Sequence, residues 1–345
     1  MLRDPCGRPV TNLRISVTQE CNQRCLYCHR EGEGTGRRAE RMSPGEIGRI
    51  ARLASKLGVK KVKFTGGEPL LRPDLPEIIG LVAPFFKDTS LTTNGTLLSA
   101  MAKRLRAAGL DRVNLSLDSL RPGTYARITG MDCLDDALAG IRAAKEAGLG
   151  PVKLNMVVLR GINEGEIPEM LRFAAGEGAI LQLIELEAPK GALSGEWYSK
   201  YHADLLELEA ELLRRAVRTE TRKMHHRRKY LVPLDALDAA GPRGDGKSNE
   251  GKQPFGTVEV EIVRPVHNSE FCGNCNRLRL SSDGWLVPCL FRRDRGVDIL
   301  GPVRKGESDP VLEKSFREAV ARRRPYWTGG APAVEDRGAR QGACP

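Results

Sequence analysis

The sequence predicts an α/β protein: a partial (βα)6 TIM-type barrel followed by a smaller C-terminal α+β module. Three observations lead there. Helix, glycine and strand recur in that order through residues 12–187. The strands of this stretch alternate polar and apolar residues. Between residues 235 and 256 the composition turns to Gly, Pro, Ala and charged residues, and a shorter strand-bearing region follows.

Six strands are expected, at 13–18, 61–65, 90–93, 112–117, 152–158 and 180–186. The first helix opens at Ser43-Pro44-Gly45-Glu46, a capping box with proline at the first helical position. Ile47, Ile50, Ala54 and Leu57 mark one helical face, and Gly58 ends it. Later helices end at Gly109 and Gly148, each followed by a strand. Residues 188–234 read as a polar, helix-prone connection leading into a basic run. Val258, Val260 and Ile262 alternate with Glu259 and Glu261, which gives one more strand. The expected organisation is a barrel with its connecting helices over 1–234 and a mobile insertion loop over 235–256. The small module then covers 257–327, and a disordered tail covers 328–345.

Parallel strands covered on both faces are nearly all apolar. Here Arg14, Ser16 and Thr18 share one side of their strand, opposite Leu13, Ile15 and Val17. Lys61, Lys63 and Thr65 oppose Val62 and Phe64. Asn114, Ser116 and Asp118 oppose Val113, Leu115 and Leu117; Lys153 and Asn155 oppose Val152, Leu154 and Met156. If the apolar sides pack on helices, the interior holds the cations Arg14, Lys61, Lys63 and Lys153. Buried unpaired charge is costly. Either an anionic ligand or internal acids must answer these cations, unless the strands lie at an exposed edge.

The 345 residues carry a net charge of +11, and 40% are hydrophobic, enough to fill a sizeable core. A basic surplus attracts phosphates without saying which. The run 214–229, with Arg222-Lys223 and Arg227-Arg228-Lys229, reads equally well as a solvated hairpin or helix and as a binding surface. No segment approaches the roughly 20 apolar residues of a membrane span, and Met1-Leu2-Arg3-Asp4 opens no signal-peptide core. A cytoplasmic location is expected, where nine cysteines point to metal or catalysis before disulfides.

Cys21, Cys25 and Cys28 stand at C-x3-C-x2-C spacing. Three thiolates can hold three irons of a 4Fe–4S cubane and leave the fourth iron open to a small molecule. A zinc site would take His29 as a fourth ligand; three buried cysteines are the remaining reading. Cys272, Cys275 and Cys289 again number three, with His267 near in sequence.

With Tyr27 before the last cysteine of the first group, and Thr65-Gly66-Gly67-Glu68-Pro69 after it, the chain resembles the radical S-adenosylmethionine (SAM) enzymes. Residues 271–284, which include Cys272-Gly273-Asn274-Cys275-Asn276-Arg277-Leu278-Arg279, resemble a narrower family, as does Pro288-Cys289-Leu290. That family is the GTP 3',8-cyclases of molybdenum cofactor biosynthesis (MoaA-like), the archaeal members above all. Residues 7–9, 14–18, 66–72, 91–95, 114–118, 153–155 and 161–163 fit it too, so the resemblance runs over 6–327.

The resemblance implies two 4Fe–4S clusters, on Cys21, Cys25 and Cys28 and on Cys272, Cys275 and Cys289. It implies SAM at Tyr27, Gly66, Gly67, Glu68 and Ser116. GTP is implied at Arg14, Lys61, Lys63, Thr92, Lys153, Arg277, Leu278 and Arg279, where planar guanidinium groups suit phosphate and purine acceptors. The implied activity is a carbon–carbon-bond-forming lyase that makes (8S)-3',8-cyclo-7,8-dihydroguanosine 5'-triphosphate, the first step of molybdopterin formation. No side-chain acid or base comes with it. The implied partners are GTP, an electron donor of flavodoxin or ferredoxin type and a downstream cyclic pyranopterin synthase, with a homodimer allowed and no membrane. Three departures stand out: Glu187 where many members have a SAM-contacting methionine, the 235–256 insertion, and a C-terminus without the terminal Gly-Gly. Two rivals differ in class. One is a radical SAM enzyme acting on a peptide. The other is an RNA-binding iron–sulfur protein, although no nucleic-acid-binding module is recognisable.

Overall fold

The computed structural model describes residues 1–32, 41–235, 256–292 and 296–328. Six strands pair in parallel in chain order: β1 (Asn12–Ser16), β2 (Lys61–Thr65), β3 (Asp88–Thr93), β4 (Arg112–Ser116), β5 (Lys153–Val158) and β6 (Ile180–Glu185). The helices between them are α1 (Pro44–Lys56), α2 (Leu75–Val82), α3 (Leu98–Ala107), the pair α4 (Pro122–Thr129) and α5 (Leu134–Glu146), and α6 (Ile167–Gly176). The capping box at α1 forms as expected: Glu46 N–H donates to Ser43 Oγ at 3.2 Å and Ser43 N–H to Glu46 Oε2 at 2.7 Å. These are the six βα units of the sequence, with strand bounds shifted by a residue or two.

The small module joins the sheet of the barrel rather than forming one of its own. It contributes β9 (Thr257–Val263), β10 (Arg277–Leu280), β11 (Trp285–Val287) and β12 (Val297–Asp298), while β7 (Arg218–Thr221) and β8 (Arg228–Pro233) come from the basic run. All twelve join one sheet, in the order β12-β11-β10-β1-β2-β3-β4-β5-β6-β9-β8-β7. β10 adds in parallel to β1, and β9 adds in parallel to β6. An open six-stranded barrel leaves two unpaired edges; the module caps both. The 235–256 insertion connects β8 to β9, whose ends are pinned by Leu234 N–H to Gly256 O at 3.1 Å. The expectation of mobility there, and of a disordered tail, falls on residues outside those described.

The alternation sorts the strands as anticipated. Leu13, Ile15, Val62, Phe64, Leu91, Val113, Leu115, Leu154, Met156, Leu181 and Leu183 are buried in one core that also takes in Leu278, Leu280, Leu286 and Phe316. A TIM barrel normally fills its interior with branched apolar side chains; this one turns its polar faces inward. Among the described residues no helix is long and apolar enough to cross a membrane.

The N-terminal segment and the last helix (Asp309–Ala321) meet beneath β10 through a buried ionic cluster. Asp4 accepts from Arg8 at 2.8 Å and faces Arg323 at 3.2 Å. Arg8 donates to Cys272 O and Arg323 to Cys275 O, both at 2.6 Å. Asp4→Ala leaves two buried guanidinium groups without their counter-charge and is expected to cost about 3–5 kcal/mol. Chemical denaturation of wild type and variant checks this; an unchanged midpoint would show that the cluster adds nothing.

Candidate active site in the barrel lumen

The C-terminal ends of parallel strands are where α/β barrels place chemistry. The loop after β1 carries Cys21, Cys25 and Cys28, all free thiols and all at least partly exposed. Gln23 N–H points to Cys21 Sγ and Arg30 N–H to Cys28 Sγ, each at 3.4 Å. Backbone bonds from Arg24 and Leu26 to the end of α4 fix this loop, as does Gln23 Nε2 on Tyr125 OH at 2.9 Å. Gly66 and Gly67, after β2, lie against the start of the same loop. A Cβ on Gly66 would fall 2.4 Å from Thr18 O, and one on Gly67 would fall 2.2 Å from Glu20 O. Only glycine permits that approach.

Glu68 is turned inward. Its carboxylate accepts from Leu70 N at 2.9 Å, Thr93 Oγ1 at 2.7 Å and Asn94 N at 2.7 Å. Burial raises its pKa to about 7 in spite of those donors. In this structure Glu68 positions the ends of β2 and β3. Tyr27 OH donates to Asp118 Oδ2 at 2.6 Å, and Asp118 Oδ1 accepts from Val157 N–H at 2.8 Å. Burial lifts Asp118 to about 6.

Below this rim a cavity of about 760 Å³ runs down the lumen. Its cations come in groups that outnumber their acids. Arg14 and Arg279 share Glu31, the first at 3.0 Å. Arg112 and Lys61 share Asp88, each at 2.9 Å. Lys153, Arg222 and Arg227 share Glu261 at 2.6, 2.7 and 3.5 Å. Burial disfavours the Glu261 carboxylate, yet these three cations hold it at about 2. Lys153 is lowered to about 8 by burial, against the pull of Glu261. Both shifts express one carboxylate divided among three cations. No acid among the described residues answers Lys63 or Arg277 in the same way, and burial with the surrounding cations lowers both. Thr92 Oγ1 and Asn155 Oδ1, also on the cavity wall, are buried with no hydrogen-bond partner.

Cys272, Cys275 and Cys289 gather at the other end. Cys275 precedes β10, and β11 runs antiparallel to β10, so Cys289 after it returns to the start of β10. Arg277 is level with Asn12 in the β1–β10 pair. The second triad therefore sits at the N-terminal end of β1 and the first beyond its C-terminal end. The five residues between span roughly 16 Å. Trp327 N–H lies 3.4 Å from Cys272 Sγ. Among the described residues no three His, Cys, Asp or Glu side chains crowd tightly enough to chelate a single ion. Each triad offers three thiolates, the donor set that a 4Fe–4S cubane takes at one thiolate per iron.

The lumen thus brings together Arg14, Lys61, Lys63, Thr92, Lys153, Arg277, Arg279 and Tyr27. Lys61 stands at the opposite mouth, level with Asn12 at the N-terminal end of the strands, half exposed and held by Asp88. Leu278 points the other way, fully buried in the core between the two arginines, because strand parity reverses at each residue. Gly66, Gly67, Glu68 and Ser116 lie at the strand ends above the cavity rather than on its wall. Glu187 lines the cavity 3.9 Å from His29. Sequence reasoning missed Arg112, Gln182, Glu261, Glu31 and the hairpin residues Arg222, His225 and Arg227. Parity flagged Arg112 and Glu261 in principle. The basic run signalled the hairpin without deciding its direction.

The Lys63 ammonium is depressed by burial, then by Arg14, Arg112, Arg277 and Lys153. A polyphosphate in the lumen reverses the sign of its surroundings and raises that pKa. Inorganic tripolyphosphate should therefore bind with proton uptake, and its affinity should fall as pH rises through the bound-state pKa. Calorimetry in buffers of different ionisation enthalpy measures the uptake; Lys63→Met should abolish it. Equal enthalpies in all buffers for wild type would refute it.

A sequence profile described as the Radical SAM superfamily matches residues 15–174, and one described as Molybdenum Cofactor Synthesis C matches 179–329. A protein of Pyrococcus abyssi bearing the name "Probable GTP 3',8-cyclase" is 52% identical over 328 residues, 95% of this chain and all of that one. Namesakes in Thermococcus kodakarensis and Methanosarcina mazei are 49% and 48% identical, each over 95% of this chain and over 100% and 90% of theirs. Among solved structures, Streptococcus suis SuiB bound to its precursor peptide SuiA superposes with a TM-score of 0.61 at 16% identity, over 92% of this chain and 67% of that one. SuiB bound to S-adenosylmethionine gives 0.59 at 17%, over 90% and 68%. At that identity the likeness is one of fold.

Proposed function

We propose that this chain, which belongs to the radical SAM family of GTP 3',8-cyclases, joins C3' of GTP to C8 of its own guanine. The product is (8S)-3',8-cyclo-7,8-dihydroguanosine 5'-triphosphate, the first intermediate of molybdenum cofactor assembly in the cytoplasm. The observation that supports the substrate is the lumen itself, where, among the described residues, cations outnumber acids in each ion-pair cluster and Lys63 faces no acid. A triphosphate supplies the missing negative charge. A peptide substrate would have to be strongly acidic to do the same.

As a radical SAM enzyme the chain uses an iron–sulfur cluster and SAM, which together supply one-electron chemistry and an alkyl radical that accepts a hydrogen atom. The chain's residues do the remaining work. Cys21, Cys25 and Cys28 hold that cluster, and Tyr27, Gly66, Gly67 and Ser116 border SAM at the strand ends. Cys272, Cys275 and Cys289 would hold a second 4Fe–4S cluster at the opposite end, which would supply Lewis-acid chemistry beside the base. Arg277 and Arg279 flank the base, while Arg14, Lys63, Thr92 and Lys153 take the sugar and phosphates. Closely placed walls keep C3' above C8 and exclude water. Hydrogen leaves C3', the C3'–C8 bond forms, and one electron and one proton complete N7. The electron comes from a flavodoxin- or ferredoxin-type donor, and the product passes to a cyclic pyranopterin synthase.

Anaerobic reconstitution with SAM, dithionite and GTP should yield 5'-deoxyadenosine and the cyclised nucleotide together. Deoxyadenosine formed equally without GTP, and no cyclised product, would sink the substrate assignment while keeping the radical enzyme. Arg277→Met should raise KM for GTP at least tenfold, since hydrogen bonds to charged groups are worth about 1.5–3 kcal/mol; steady-state kinetics measures it.

A further inference from the structure

The basic run that sequence alone left undecided folds inward. β7 and β8 form a hairpin whose tip, residues 222–227, reaches the cavity wall. Two contacts of His225 help latch the tip to the loop carrying the second cysteine triad, and His226 adds a third on Glu270. His225 N–H donates to Asn274 O at 3.0 Å, and the His225 ring stacks on Phe271 with centroids 3.8 Å apart. His225 and His226 both take positive φ, 62° and 51°. Two successive non-glycine residues in the left-handed region are strained and persist only where surrounding contacts over-determine them. The hairpin is built to hold its tip at this spot.

The latch delivers two arginines to the β5–β9 wall. Arg222 lies 2.7 Å and Arg227 3.5 Å from Glu261, beside Lys153 at 2.6 Å. Gln182 also donates to that carboxylate. Glu261 is fully buried and can neutralise only one of the three cations. Arg227 is largely buried, its side chain 14% exposed, and its Nε has no hydrogen-bond partner. The acid fixes the cations in place while their charge exceeds its own, an arrangement suited to a ligand carrying several negative charges at one end.

We propose that Arg222 and Arg227 are specificity-determining residues that bind the outer phosphates of the nucleotide and make the enzyme select a triphosphate over a monophosphate. This rests on the guanine-nucleotide reading above and deepens it. Lys63 and Arg277 serve any guanine nucleotide; the hairpin arginines serve only one long enough to reach the Glu261 wall.

The test is calorimetric titration of cluster-reconstituted protein with GTP, GDP and GMP in the presence of SAM, for wild type, Arg222→Gln, Arg227→Gln and Arg218→Gln. Arg218 sits on the exposed outer strand of the same hairpin and controls for general charge. The expected result is a loss of GTP affinity of about 10- to 100-fold for Arg222→Gln or Arg227→Gln, GMP affinity within twofold of wild type, and no change for Arg218→Gln. Arg227→Lys should restore part of the GTP preference. An equal fall for all three nucleotides, or an unchanged GTP-to-GMP ratio, overturns the hairpin's role and leaves the cyclase reading standing. Wild type that binds no guanine nucleotide overturns both.

Discussion

Like charges crowded inside one lumen are the constraint around which the rest of the molecule is arranged. Cations from β1, β2, β4, β5 and β10 and from the β7–β8 hairpin point at one another across a cavity walled by strands. At an effective dielectric near 20, two charges 4 Å apart repel by about 4 kcal/mol, and here several lie in mutual range. Glu31, Asp88 and Glu261 each offset part of that repulsion. None completes it, and burial together with the neighbouring cations holds the Lys63 pKa low. A barrel that kept the usual branched apolar interior would gain stability and lose the cationic wall on which the proposed polyphosphate binding rests. The polar faces are therefore a functional departure, carried by a core displaced outward onto the helices.

The same economy explains the C-terminal module. A six-stranded open barrel needs both edges covered, and β9 and β10 cover them while bringing something to the lumen. β9 brings Glu261, which organises the cations of β5 and the hairpin. β10 brings Arg277 and Arg279, and its leading turn brings two of the three second-triad cysteines. The short connection between β9 and β10 crosses the mouth of the gap, and Arg8 and Arg323 grip its carbonyls from below. Edge protection, charge organisation and the second cysteine site thus reside in one βαβ crossing.

How much of this was legible in the sequence follows from the range of each interaction. The βα repeats were readable because caps, terminal glycines and period-two alternation are local. Arg14, Lys63 and Lys153 were placed in the lumen by parity alone, since a strand allows a side chain only two directions. Parity equally required that Leu278 face away from Arg277 and Arg279; only the motif resemblance grouped all three. The pairing of β10 with β1 and of β9 with β6 joins residues far apart in the chain, and no local signal encodes it. Glu261 was visible as one half of an alternating strand, but its partners arrive from β5 and from the hairpin. For Glu68 the motif marked a SAM contact, and the structure adds three donors from the protein to its carboxylate that no local pattern announced.

The parallel β1–β10 pair acts as a ruler for the proposed reaction. With the base held at the second triad and the radical generated beyond the other end of β1, the sugar is the part of the nucleotide that must bridge the interval. C3' has to face the first triad while C8 stays close beneath it, so the ribose folds over its own base. The 5' phosphates cannot then continue toward either triad and must leave sideways. The wall available to them is the one formed by β4, β5 and β9, where Arg112, Lys153, Arg222 and Arg227 stand. On the proposed reading, the polarity of the lumen matches the three parts of one ligand: a base at the bottom, a sugar turned upward and a charged tail directed across. Cysteine spacing sets the two ends, and the strand faces together with the inward hairpin set the third direction.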